Sequence, residues 1–240
     1  MRLNCTSALF LLCSLWLLPS CSSSRKAAGP SEKGFLALFD GKTLNGWEFD
    51  STYWRMENGV LVGEITPQTI VKRNTFIIWK GGQPADFELK TSFRVSALGN
   101  SGINYRSVEL DTLPYALKGY QADLDGRNRY NGQNYEERGR QFLARRGEQV
   151  IIDNSGKPVV TGSLGDSATL ANVFKKEDWN DYHLVVKGNH MQHYLNGVLM
   201  SEVTDNDALN RKMSGRIGVQ VHVGPPMKIE YRDMRLKEGR

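Results

Sequence analysis

Between residues 119 and 125 the chain reads Gly-Tyr-Gln-Ala-Asp-Leu-Asp. At the two-residue period of an extended strand, Gln121, Asp123 and Asp125 share one face and Tyr120, Ala122 and Leu124 the other. Residues 217–223 repeat the pattern, with Ile217, Val219, Val221 and Val223 opposed to Gly218, Gln220 and His222. A third stretch, residues 101–106, sets Gly102, Asn104 and Arg106 on one side. A solvent-facing strand more often carries Lys, Thr, Glu or Ser. Carboxylates and an imidazole can move protons, and amides and a guanidinium can hold oxygens, so these three faces predict the floor of a cleft.

Residues 126–140 would hang beside that floor and supply Tyr130, Asn134, Tyr135, Glu136, Glu137 and Arg138. Aromatic faces stack on the C–H surface of a sugar while amides and acids bind its hydroxyls, so the expected ligand is polyhydroxylated. Glu136 and Glu137 are adjacent, and on extended backbone only one can face the cleft; Glu137 is the one assigned. Asp123, Glu137 and His222 could together hold a divalent cation, although their spacing is no metal signature. The run Gln121-Ala122-Asp123-Leu124-Asp125 is faintly similar to the Glu-x-Asp-x-Glu pattern of jelly-roll glucanases. It departs at the nucleophile's position, where the amide of Gln121 cannot serve. His183, His190 and His193 fall on or near a hairpin and read as solvated.

The elements that must position these groups are strands. Asn58-Gly59 divides residues 53–57 from 60–63, Gly188-Asn189 divides 182–187 from 190–195, and Asn196-Gly197 leads into 198–204. These are the dipeptides that tight hairpins with positive φ require. Residues 87–95 alternate throughout, with Phe87, Leu89, Thr91, Phe93 and Val95 against Glu88, Lys90, Ser92 and Arg94. Helical periodicity is confined to short turns at 170–174 and 205–210. The pattern predicts an all-β fold of two antiparallel sheets packed face to face.

The chain of 240 residues carries a formal charge of +5, and its three cysteines, Cys5, Cys13 and Cys21, all lie near the start. Residues 1–20 join Arg2 to an apolar run and end in Leu18-Pro19-Ser20 before Cys21, the form of an export signal with a bacterial lipobox. The reading is residues 1–20 as lipoprotein signal peptide, 21–33 as a tether and 34–240 as one domain. Cys21 would carry lipid and hold the protein at the periplasmic or cell-surface face of a bacterial membrane. The domain then has no disulfide and no thiol chemistry. Loss of Arg2 leaves +4 in scattered basic residues, which argues against a nucleic-acid partner.

Several motifs occur in order: Leu36-Ala37-Leu38-Phe39-Asp40-Gly41-Lys42-Thr43-Leu44-Asn45-Gly46-Trp47, Trp54-Arg55-Met56-Glu57-Asn58-Gly59, Ser101-Gly102-Ile103-Asn104-Tyr105-Arg106, Gly119-Tyr120-Gln121, Trp179-Asn180-Asp181-Tyr182 and Ile217-Gly218-Val219-Gln220. Together they resemble the 3-keto-disaccharide hydrolase domain family, over about residues 34–236. The resemblance implies a concanavalin A-like jelly-roll sandwich and cleavage of a sugar already oxidised at C3. A C3 ketone acidifies the C2 proton, so a base can remove it and the C1 substituent can leave before water adds. On that reading His222 or Glu137 is the base, Arg106 the carbonyl partner and Asp123 the orienting group or acid. Asn104, Gln121, Asp125, Tyr135 and Gln220 would bind substrate. A noncatalytic carbohydrate-binding lipoprotein of the same fold is the alternative, and an interaction module without sugar affinity a third.

Overall fold

A computed structural model describes Met1 and residues 32–239. The signal peptide, the assignment of lipid to Cys21 and most of the tether lie outside the described residues. In chain order the strands are β1 Leu36–Ala37, β2 Trp47–Glu48, β3 Trp54–Glu57, β4 Val60–Ile65, β5 Thr75–Trp79, β6 Phe87–Val95, β7 Asn100–Glu109, β8 Leu117–Asp125 and β9 Asn134–Glu137. They continue as β10 Gln141–Ala144, β11 Glu148–Ile152, β12 Pro158–Ser163, then helix α1 Ser167–Ala171, β13 Asn180–Lys187, β14 His190–Leu195, β15 Val198–Asp205, β16 Arg216–Val221 and β17 Met227–Glu238.

Two sheets result. One runs β12-β11-β15-β14-β13-β6-β17-β4-β3, with β1 also on β17; the other runs β10-β9-β8-β7-β16-β5-β2. Pairing is antiparallel except between β11 and β15, so the expected antiparallel sandwich carries one parallel ladder. Asn58 and Gly59 adopt positive φ of 52° and 83° in the β3–β4 hairpin, the backbone geometry such a turn needs. Strand β16 stops at Val221, one residue short of His222. Of the two expected helical turns, the first appears as α1, shifted to 167–171 and capped by Asp166. Residues 205–210 form no helix, because the Asp207 carboxylate accepts from the backbone N–H groups of Leu209 and Asn210 and closes a local turn instead.

The core lies between the sheets. Ile103, Tyr105, Tyr120, Ala122, Leu124, Ile217, Val219 and Val221 from the seven-stranded sheet meet Leu89, Phe93, Leu184, Val186 and Ile229 from the other, all at most 1% exposed. Alternation leaves the opposite face of the seven-stranded sheet for polar work. Register places Asn104 against Gln121 and Gly102 against Asp123 across β7 and β8, with Asn104 against Gly218 across β7 and β16. Residues directly opposed in a sheet share a face, so one surface collects side chains from three strands.

Candidate active site

On that surface a cleft of about 550 Å³ is lined by Asn74, Asn100, Gln121, Asp123, Arg129, Tyr130, Tyr135, Glu137, Arg138, Phe142 and His222. Seven residues anticipated from the sequence therefore meet: Gln121, Asp123, Tyr130, Tyr135, Glu137, Arg138 and His222.

Asp123 stands at the centre. Gln121 Nε2 donates to Asp123 Oδ1 at 2.8 Å, and Gln220 Nε2 donates to Gln121 Oε1 at 3.2 Å, so the amides form a relay behind the carboxyl. Gln220 itself is fully buried beneath the cleft and does not line it. A Cβ at Gly102 would collide with the Gln121 side chain, which is why the strand carries glycine there. Burial pushes the Asp123 carboxyl up to about 8; the bond from Gln121 opposes this, and the charges of Glu137 and Asp125 add to it. At neutral pH this carboxyl is a proton donor. Burial, with Glu137 and Asp123 nearby, likewise raises the Tyr135 phenol.

Glu137 and His222 are joined through a residue that sequence reasoning missed. Asn74 Nδ2 donates to Glu137 Oε1 at 3.2 Å, while Asn74 Oδ1 accepts from the Val223 N–H at 3.0 Å. The backbone N–H of His222 donates to the Asn100 carbonyl at 3.3 Å. Its ring Nδ1 sits 2.6 Å from the Val223 carbonyl. A carbonyl only accepts, so Nδ1 carries a proton, and in the neutral ring the lone pair is on Nε2. Asn100 had a readable signal, since it lies two residues before Gly102 on the same face. Asn74 had a weaker one, standing two residues before Phe76, which pairs with Gln220.

Besides Gln220, four assignments change. Arg106 adopts φ 45° at a bulge in the β7–β8 ladder, which turns it out of the cleft face. Its guanidinium donates to the carbonyls of Ala85, Gly188 and Lys212 and to Asp86 Oδ1 and is 1% exposed; it ties strand ends together and does not line the cleft. Asp125 accepts from the N–H groups of Arg127 and Arg129, and its own N–H and C=O bond the Asn131 side chain. It shapes the β8–β9 loop. Asn104 is on the predicted face but fully covered, with neither amide atom bonded to protein. His193, expected in solvent, is fully buried between the sheets, where its Nε2 is 2.9 Å from the Tyr105 hydroxyl and burial lowers it to about 3. Met191, His193 and Leu195 alternate inward on β14, and that spacing was the available signal.

The choice between adjacent glutamates falls as assigned. Glu136 points to the core side and pairs with Arg140 at 2.6 Å, leaving Glu137 to the cleft. Among the described residues, no group of three or more His, Cys, Asp or Glu is arranged to hold a metal, so Asp123, Glu137 and His222 do not fit a resident cation.

Fold and site together define a jelly-roll sandwich with an acidic, histidine-bearing cleft on one sheet. The chain belongs to the 3-keto-alpha-glucoside-1,2-lyase-like domain family, whose profile matches residues 34–237. Its fold is similar to two structures from Parabacteroides distasonis ATCC 8503, each provisionally described as a glycosyl hydrolase. One is 19% identical with a TM-score of 0.58, covering 85% of this chain and 99% of that chain. The other is 21% identical with a TM-score of 0.58, covering 86% and 94%. A Bacillus subtilis protein of unknown function with a galectin-like fold is 11% identical with a TM-score of 0.55, covering 80% and 89%. Comparison with curated proteins gives no match.

Proposed function

We propose that this protein cleaves the glycosidic bond of a 3-keto-glucoside by removing the C2 proton and expelling the C1 substituent. The supporting observation is the convergence of His222, Glu137 and Asp123 in one cleft, each placed by an amide or backbone contact. The Nε2 lone pair of His222 takes the C2 proton, and the electron pair left behind delocalises onto the C3 oxygen. The Asn100 amide offers that oxygen a donor, the place first given to Arg106. The C1–O bond then breaks, forming a C1=C2 double bond. Asp123, neutral in its buried setting, gives its proton to the departing oxygen. Addition of water to C1, with Glu137 as the base that orients it and a proton returned to C2, completes a net hydrolysis. Stopping before that addition would be a lyase reaction.

This route needs no carboxylate nucleophile, which agrees with Gln121 occupying the position where a glucanase would place one. Incubation with 3-keto and unmodified glucosides in deuterated water is the test. Cleavage of only the keto substrates, with deuterium at C2 of the hydrated product, is expected. Efficient hydrolysis of plain glucosides without C2 deuterium would overturn it in favour of a two-carboxylate glycosidase. Saturable binding of both classes without product would instead favour a carbohydrate-binding module.

A further inference from the structure

The two sides of the cleft differ in chemistry. Asn74, Asn100 and His222 form a polar side. Across from it stand three aromatic rings. Phe142 on β10, 39% exposed, has its centroid 5.1 Å from Tyr135 at 67° and 6.1 Å from Tyr130 at 33°. Rings so tilted make a corner rather than a flat platform, and a corner takes one ring face-on and edge-on together.

Guanidinium groups surround that corner. Arg129 lies over Tyr130 at 5.2 Å and Arg145 over Phe142 at 5.9 Å. Arg129 and Arg138 stand 3.8 Å from Asp125 and Glu137, and among the described residues neither guanidinium makes a side-chain hydrogen bond. Elsewhere in the molecule the buried or half-buried arginines, Arg106, Arg140 and Arg146, spend their donors on fixed partners. Two cations, each beside one carboxylate but with no hydrogen bond from its guanidinium, flank the apolar corner and suit an anionic aromatic group.

We propose that the group leaving from C1 is an acidic aromatic aglycone, a phenol bearing a carboxylate, and that Tyr130, Tyr135, Phe142, Arg129 and Arg138 select it. This rests on the proposed 3-keto-glucoside cleavage and names its substrate class. A phenol, with a pKa of about 10, is also an easier leaving group than a sugar hydroxyl, and nearby cations stabilise it further.

The test compares kcat/KM for three 3-keto-α-glucosides: that of 4-hydroxybenzoate, that of 4-hydroxybenzyl alcohol, and 3-keto-maltose. The expected order runs from the carboxylate downward to the disaccharide. Arg129→Gln with Arg138→Gln should lower the carboxylate-to-neutral ratio about tenfold, the scale of a lost charge-assisted bond. Phe142→Ala should lower both aryl substrates relative to 3-keto-maltose. Thermal unfolding checks that each variant is folded. A disaccharide preference, or a ratio unmoved by the arginine changes, overturns the proposal. If none of the three is cleaved, the cleavage reading fails, and the aglycone corner is then read by calorimetric binding of free 4-hydroxybenzoate against 4-hydroxybenzyl alcohol. Arginine-dependent preference for the acid supports the corner; equal or absent binding overturns it.

Discussion

Asp123 couples the stability of the fold to the chemistry of the cleft. An unfolded aspartate releases its proton near pH 3.9, whereas the buried carboxyl keeps it to about 8. Between those values the folded state binds more protons than the unfolded one. Stability therefore falls as pH rises through that window, on the order of 1.4 kcal/mol per unit. Asp123→Asn keeps an acceptor for Gln121 and removes the ionisation. Its unfolding free energy should match the parent near pH 4 and exceed it increasingly up to pH 8, measured by denaturant titration across that range; a constant difference would contradict the raised carboxyl. The same variant should lose most turnover, and in the parent kcat/KM should decline above about pH 8 as the acid ionises. His222→Ala should cost roughly a hundredfold or more in kcat, the usual scale for a general base, with unfolding temperature little changed because the side chain lies at the cleft surface.

Strand irregularities decide which side chains reach the cleft. The bulge at Arg106 removes a cation from the polar face and spends it on three backbone carbonyls and Asp86. Arg106→Ala takes the donors from three part-buried carbonyls and empties a fully buried side-chain site, so about 3 kcal/mol of stability should be lost, with KM for substrate unchanged in whatever protein remains folded. A catalytic Arg106 would show the reverse, a large kcat loss at full stability. The β8–β9 loop is held by Asp125, which receives the N–H groups of Arg127 and Arg129 and so sets the height of Tyr130 at the rim. Asp125→Ala should raise KM several-fold with a smaller effect on kcat, because the loop carries contact surface and not the proton-transfer groups.

At the scale of the molecule, one sheet face carries the cleft while the other builds the core against the ten-stranded sheet. The proposed anchor is a separate matter of the first residues. Cys21→Ser should shift the protein from the membrane to the soluble fraction on cell fractionation. Mass spectrometry of the parent's N-terminal peptide should find an acyl chain on Cys21; an unacylated peptide in wholly soluble parent protein would dismiss the anchor.

Alternation alone was enough to separate the core residues Tyr120, Ala122 and Leu124 from Gln121 and Asp123, because side chains on a strand must point to opposite sides whatever the strand pairs with. The hairpins at Asn58-Gly59 and Gly188-Asn189 were legible for a similarly local reason, as their backbones need residues that tolerate positive φ. Everything that depended on what lies across the sheet was decided in three dimensions. Arg106 kept the right spacing but lost the face to a bulge, which is a property of register between two strands. His193 looked solvated until the second sheet covered its side of β14. Glu137 faces the cleft while Glu136 turns inward to Arg140, which Asp205 and Asp207 hold in place. Asn74 reaches Glu137 across 63 positions of chain. Spacing along a strand is a short-range property and is written in the residues, whereas the neighbours that bury, pair or neutralise a side chain arrive only when distant strands close the sandwich.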